Sequence, residues 1–169
     1  PREGKSAVST NLAIALARAG KRTLLIDADA RRGRLQRELG SPGMGLADVL
    51  AGKANMADVC MPTEQANLVL MGTGRAGSGL PELLASARFS EGLAALRQTY
   101  EHIIVDTPPV LGLSEACALL PCVDGVVMVI WARSGTRLWA VPALTQAATR
   151  VLCHSSPAWT AGKRPRIRW

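Results

Sequence analysis

Short apolar runs alternate with longer amphipathic stretches along this chain, and two of the runs end in acids. Thr23-Leu24-Leu25-Ile26 delivers Asp27 and Asp29, and His102-Ile103-Ile104-Val105 delivers Asp106. Runs of this length, rich in branched residues and bounded by polar ones, predict strands buried on both faces, as in a parallel sheet. Asn67–Met71 predicts another strand and Asp124–Trp131 a further one. Helical spacing of Asn11, Leu12, Ala15, Leu16 and Ala19, stopped by Gly20, predicts a helix before the first acid-tipped strand. Further helical patterns run from Gly33 to Leu39, Gly45 to Leu50, Leu80 to Leu84, Phe89 to Tyr100, and from about Thr136 to Arg150. Turns are expected at Gly40-Ser41-Pro42-Gly43, and the glycine-rich stretch Gly72–Gly79 reads as a loop leaving a strand. Alternating strands and helices of this kind predict an α/β fold with a mostly parallel central sheet.

Composition supports one domain over residues 1–150, since 169 residues with 48% hydrophobic content bury a substantial core. Residues 151–169 are different. From Cys153 onward, CHSSPAWTAGKRPRIRW carries no apolar period, and this basic end reads as foreign to the fold. The formal charge is +7, yet all 13 acidic residues lie at or before Asp124, so the excess belongs to the region after it. Lys163, Arg164, Arg166 and Arg168 read as a solvated terminal cluster, and no nucleic-acid partner is expected. Cys60, Cys117, Cys122 and Cys153 lack zinc spacing, which favours free thiols in a reducing cytosol. The longest apolar run, Val126–Ala132, is far below the roughly 20 residues of a membrane-spanning helix.

The candidate chemistry sits where these elements meet. Pro1–Ser6, PREGKS, ends like the phosphate loop GxxxxGK[ST], whose first glycine would fall two residues ahead of Pro1. In such a loop Gly4 admits phosphate close to the backbone, Lys5 reaches the outer phosphate oxygens and the Ser6 hydroxyl ligates magnesium. The start of the following helix adds its amides to the anion site. Acids at the carboxyl ends of parallel strands border the crevice where ligands bind, and Arg31 and Arg32 stand beside the first pair. Asp106, ending a strand, has the form of a Walker B acid that holds magnesium through water. The plainer roles are a turn at Asp27, a helix cap at Asp29 and a cap or turn at Asp106.

Together PREGKS, LLIDADARR, GLADVLAG, LPELLAS and IIVDTPPVLGLSEA, in this order, closely resemble the cytoplasmic domain of bacterial tyrosine kinases, the capsular or exopolysaccharide tyrosine autokinases. The resemblance covers residues 1–150 and implies a P-loop NTPase-like three-layer fold, here N-terminally truncated and with an atypical tail. It implies that Gly4, Lys5 and Ser6 bind ATP, and that Lys5, Asp27, Asp29 and Arg31 serve phosphoryl transfer. Magnesium would meet Ser6, Asp29 and Asp106. Which of Asp27 and Asp29 orients the acceptor hydroxyl stays open. Implied partners are a tyrosine-bearing acceptor on other protomers of a homo-oligomeric parent, and a membrane polysaccharide co-polymerase or adaptor at the inner face of the plasma membrane.

Departures from that pattern define the alternatives. The family's acceptor is a tyrosine cluster near the C-terminus, whereas this chain has one tyrosine, Tyr100, which is expected to pack against the sheet. A MinD/ParA-type ATPase shares the fold but usually has two glycines where Pro1 and Arg2 stand, and a proline where Ala30 stands. A non-catalytic nucleotide-binding remnant is the third reading. No Asn-Lys-x-Asp segment supports a GTPase.

Overall fold

The computed structural model describes residues 4–29, 43–75, 80–108, 119–127 and 129. Among the described residues four strands form one sheet in the order β2-β3-β1-β4: β1 Thr23–Asp27, β2 Cys60–Pro62, β3 Leu68–Met71 and β4 His102–Asp106. Strands β3, β1 and β4 are mutually parallel, and β2 runs antiparallel at the β3 edge. The three parallel strands are those expected from their apolar runs. The short β2 was not expected, because three residues ending in Pro62 show no period, and a proline without an amide hydrogen suits an edge.

Strand alternation divides the core in two. Leu25, Leu68, Leu70 and Ile104 face helix α1, Lys5–Arg18, where Ala13 and Ala17 are buried against them. Leu24, Ile26, Met71 and Ile103 face the other way, onto α2 Leu46–Leu50, α3 Leu80–Leu84 and α4 Ala87–Leu96, which contribute Leu46, Leu50, Leu80, Leu84, Phe89 and Leu93. The result is the expected three-layer α/β arrangement. Every β1 residue is buried, as a strand covered on both faces requires.

The helix expected from the spacing of Asn11, Leu12, Ala15, Leu16 and Ala19 is present as α1. Its innermost residues are Ala13 and Ala17, with Leu12, Ile14 and Leu16 partly buried beside them and Asn11, Ala15 and Ala19 exposed. Small alanines win the inner line because they let the helix lie close to the sheet. Helix α4 covers Ala87–Leu96, starting before Phe89 and stopping short of Tyr100. At its end the Tyr100 amide donates to the Leu96 carbonyl, after which the chain turns into β4. Helices α2 and α3 stand where they were expected.

Of the strand expected over Asp124–Trp131, residues 124–127 show no strand pairing, and most of the remainder lies outside the described residues. The patterns over 33–39 and 136–150, the tail and Arg31 are likewise outside them. Arg97 ties residues 122–124 to α4, donating to the Cys122 carbonyl and the Asp124 carboxylate, each at 3.1 Å. Tyr100 packs against the larger core as expected, and it hydrogen-bonds with Cys60. Burial first, then the neighbouring Cys60, pushes the phenol up to about 12, so it stays protonated across the physiological range.

Among the described residues Phe89 is the largest fully buried side chain. Phe89→Ala should cost about 3–5 kcal/mol of folding stability. Chemical denaturation checks this, and a loss under about 1 kcal/mol would show that the α4 face is not part of the core.

Candidate phosphate and metal site

The parallel register brings the acids of two strands together. Asp27 on β1 pairs with Asp106 on β4, and the Ala28 amide extends the ladder by donating to the Asp106 carbonyl at 2.9 Å. Alternation from Leu25 and Ile104 places both carboxylates on the face covered by α1. Asp106 is 2% exposed, Asp27 1% and Asp29 9%.

Helix α1 starts above these acids because Gly4 turns the chain into it. Gly4 has φ 85°, a left-handed conformation that favours glycine, and its carbonyl accepts the Val8 amide at 2.9 Å. The N-cap glycine brings no side chain to the first turn, and no acid lies there, so the helix start presents its amides and positive dipole end to an anion. Lys5 and Ser6 are both partly exposed.

Hydroxyls from α1 hold Asp106. The Ser9 hydroxyl lies 3.0 Å from Asp106 Oδ1 and 3.1 Å from the Lys5 carbonyl, and the Ser6 side chain also hydrogen-bonds the Asp106 carboxyl. Burial raises the Asp106 pKa above the ordinary carboxylate value. The hydroxyls oppose that shift, Asp29 adds to it through its charge, and Lys5 opposes it. The structure therefore gathers Lys5, Ser6, Asp29 and Asp106 around one point. Ser9 joins them, and sequence reasoning missed it. Its position one turn after Lys5, on the same helix face, was the available signal.

Asp27 does something different. Its Oδ1 accepts the Asp29 amide at 3.1 Å, forming the turn that lifts Asp29 toward the surface. Among the described residues no set of three His, Cys, Asp or Glu side chains is arranged to hold a metal unaided. Ser6, Asp106 and Asp29 offer oxygen donors only. That donor set suits a hard ion such as magnesium, which takes one or two protein oxygens and completes its shell with phosphate and water.

A family model described as an AAA domain matches residues 3–145. The tyrosine-protein kinase CpsD of Streptococcus agalactiae is 36% identical over 129 residues, covering 75% of this chain and 56% of the relative, so the chain spans about half that protein's length. The solved VpsO kinase domain superposes with a TM-score of 0.69 at 38% identity, covering 74% of this chain and 62% of that domain. The septum site-determining protein MinD of Pyrococcus horikoshii, solved with Mg-ADP, superposes with a TM-score of 0.61 at 27% identity, covering 74% and 51%.

Because the folded-state pKa of Asp106 is raised, its contribution to stability is present below the unfolded carboxylate value and lost as pH rises through the folded one. Asp106→Asn keeps an acceptor for Ser9 but cannot ionise. Without nucleotide, this variant should melt a few degrees above wild type near neutral pH, the gain shrinking toward the acidic carboxylate range. Thermal denaturation at several pH values checks this, and a lower melting temperature at neutral pH would contradict it.

Proposed function

We propose, from the premise that this chain belongs to the AAA-domain family and is related to bacterial tyrosine-protein kinases, that it is the ATP- and magnesium-dependent phosphoryl-transfer domain of such a kinase. The observation that carries the reading is the meeting of α1's first turn with a buried acid: Ser6 and Ser9 on Asp106, with Lys5 and Asp29 beside them.

Each residue then has a task. Gly4 lets the backbone approach the phosphates, and the amides at the head of α1 cradle them. Lys5 neutralises charge on the outer phosphate oxygens, and Ser6 and Asp106 hold the metal side of the pocket. Ser6 and Asp106 would hold magnesium, which would supply charge neutralisation for the phosphoryl group as it moves. Asp29 is the most exposed of the three acids and its charge acts on Asp106, which supports giving it the tyrosine proton beside the metal. Asp27 positions Asp29 through its amide. Arg31 lies outside the described residues, and the kinase resemblance counts it with Asp27 and Asp29 in the catalytic set.

Within this reading the acceptor is a tyrosine on other protomers of a homo-oligomeric parent, and the process served is capsule or exopolysaccharide chain-length control and export. Tyr100 is not the acceptor, since its hydroxyl is engaged by Cys60 and its ring by the core. Among the described residues no helix is long and apolar enough to cross a membrane. Placement at the inner face of the plasma membrane would then come through a polysaccharide co-polymerase or adaptor segment. The similarity to MinD supports a second reading, an ATPase whose nucleotide state governs dimerisation without tyrosine transfer.

Lys5→Met in the full-length protein should lower transfer to a tyrosine peptide at least about 100-fold while leaving the circular dichroism spectrum intact. Phosphotyrosine detection checks this, and unchanged transfer would remove Lys5 from the mechanism. Asp106→Asn should weaken nucleotide binding with magnesium more than without it. Calorimetric titration in both conditions decides, and equal losses would leave Asp106 a purely structural acid.

A further inference from the structure

Two segments singled out in the sequence, GLADVLAG and the glycine-rich loop after β3, have no part in the site described above, yet the structure ties them together. Asp48, in the first turn of α2, is 7% exposed. Its Oδ2 accepts the Gly45 amide at 2.9 Å, as an acid in the first helical turn often does. The same oxygen also accepts the Arg75 amide at 3.2 Å, 27 residues further on, which capping a helix does not require. In return the loop closes the start of α2: the Leu46 amide donates to the Gly72 carbonyl at 2.9 Å and the Ala47 amide to the Thr73 carbonyl at 3.0 Å.

The two backbones touch where glycine stands on both sides. A β-carbon on Gly45 would collide with the Gly72 carbonyl and the Gly74 amide, and one on Gly74 would strike the Asp48 carboxylate and the Gly45 backbone. Gly74 also has φ 77°, which excludes most side chains on its own. Residues 72–75 are thus pinned from α2 by one carboxylate and a glycine-to-glycine contact.

The location of this knot gives it a function. Met71 pairs with Ile26, so Gly72 follows in register beside Asp27, at the sheet end that carries Asp29 and Asp106. Across that end the order is β4 with Asp106, Ser6 and Ser9, then β1 with Asp27 and Asp29, then the knot after β3. The head of α1 meets Asp106 on the β4 side of Asp29, and the knot follows β3 on the other side. Phosphoryl transfer needs its nucleophile to arrive from the side opposite the nucleotide.

We propose that Asp48 is a positioning residue for the phosphate acceptor, fixing Gly72–Arg75 as the wall against which the incoming tyrosine segment is set beside Asp29. This rests on the kinase reading above. Asp48 touches neither nucleotide nor acceptor; it acts through the loop it holds.

The test is steady-state transfer by the full-length protein to a synthetic tyrosine peptide, with KM measured separately for peptide and for MgATP. Asp48→Ala should raise the peptide KM about tenfold and leave the MgATP KM within about twofold, with Asp48→Asn, which retains one acceptor oxygen, in between. Gly74→Ala keeps Asp48 but displaces the loop, and should reproduce the peptide-selective effect even if Asp48→Ala fails to fold. Hydrogen exchange at the Gly45 and Arg75 amides should quicken in Asp48→Asn. Equal changes in both KM values, or none in any variant that folds, would overturn the positioning role while leaving the kinase reading in place. A wild-type protein that binds MgATP but phosphorylates no tyrosine peptide would instead sink the kinase reading and the acceptor role with it.

Discussion

A carboxylate withdrawn from water at the end of β4 is the constraint on which the rest of this structure turns. Asp106 is sealed between the sheet and α1, and ionising there is unfavourable unless something answers its charge. Hydroxyls from Ser6 and Ser9 answer part of it, and in doing so they lock the first turns of α1 onto β4. The remaining deficit is what a divalent cation with a phosphate partner would relieve. The fold thus carries a local electrostatic cost at Asp106, at the end of the parallel ladder that joins β1 to β4.

Much of that architecture was legible in the chain, because a strand buried on both faces has to be apolar almost throughout. Strands β1, β3 and β4 announced themselves in this way, and the acids that end β1 and β4 could be placed together at the carboxyl end of the sheet. The edge strand β2 could not, since two half-buried residues and the exposed Pro62 obey no period. Spacing was enough to predict α1, but not that its inner line is made of alanines, which hydrophobic patterns undervalue beside Leu12 and Leu16. Helix positions here are chosen for closeness rather than for apolar area.

The site itself was half visible. Lys5, Ser6 and the three aspartates have types and spacings that mark them, and the structure brings Lys5, Ser6, Asp29 and Asp106 together while giving Asp27 a turn to hold. Ser9 and Asp48 carry no such mark. A serine within a helix and an acid in a first turn are common, and what distinguishes these two is a partner 97 residues away in one case and 27 in the other. Contacts of that span belong to the tertiary fold, and one-dimensional spacing does not contain them.

The alanine seat of α1 has a reach that its small side chains conceal. Ala13 and Ala17 set the gap between helix and sheet one to two turns beyond Ser9, so the distance from helix to Asp106 is decided by the thickness of two methyl groups. A bulkier neighbour there would tilt the rod about its far end and swing the Ser9 hydroxyl away from the acid. Tolerances at the head of α1 are therefore machined in its shank, one to two turns away from the acid they govern.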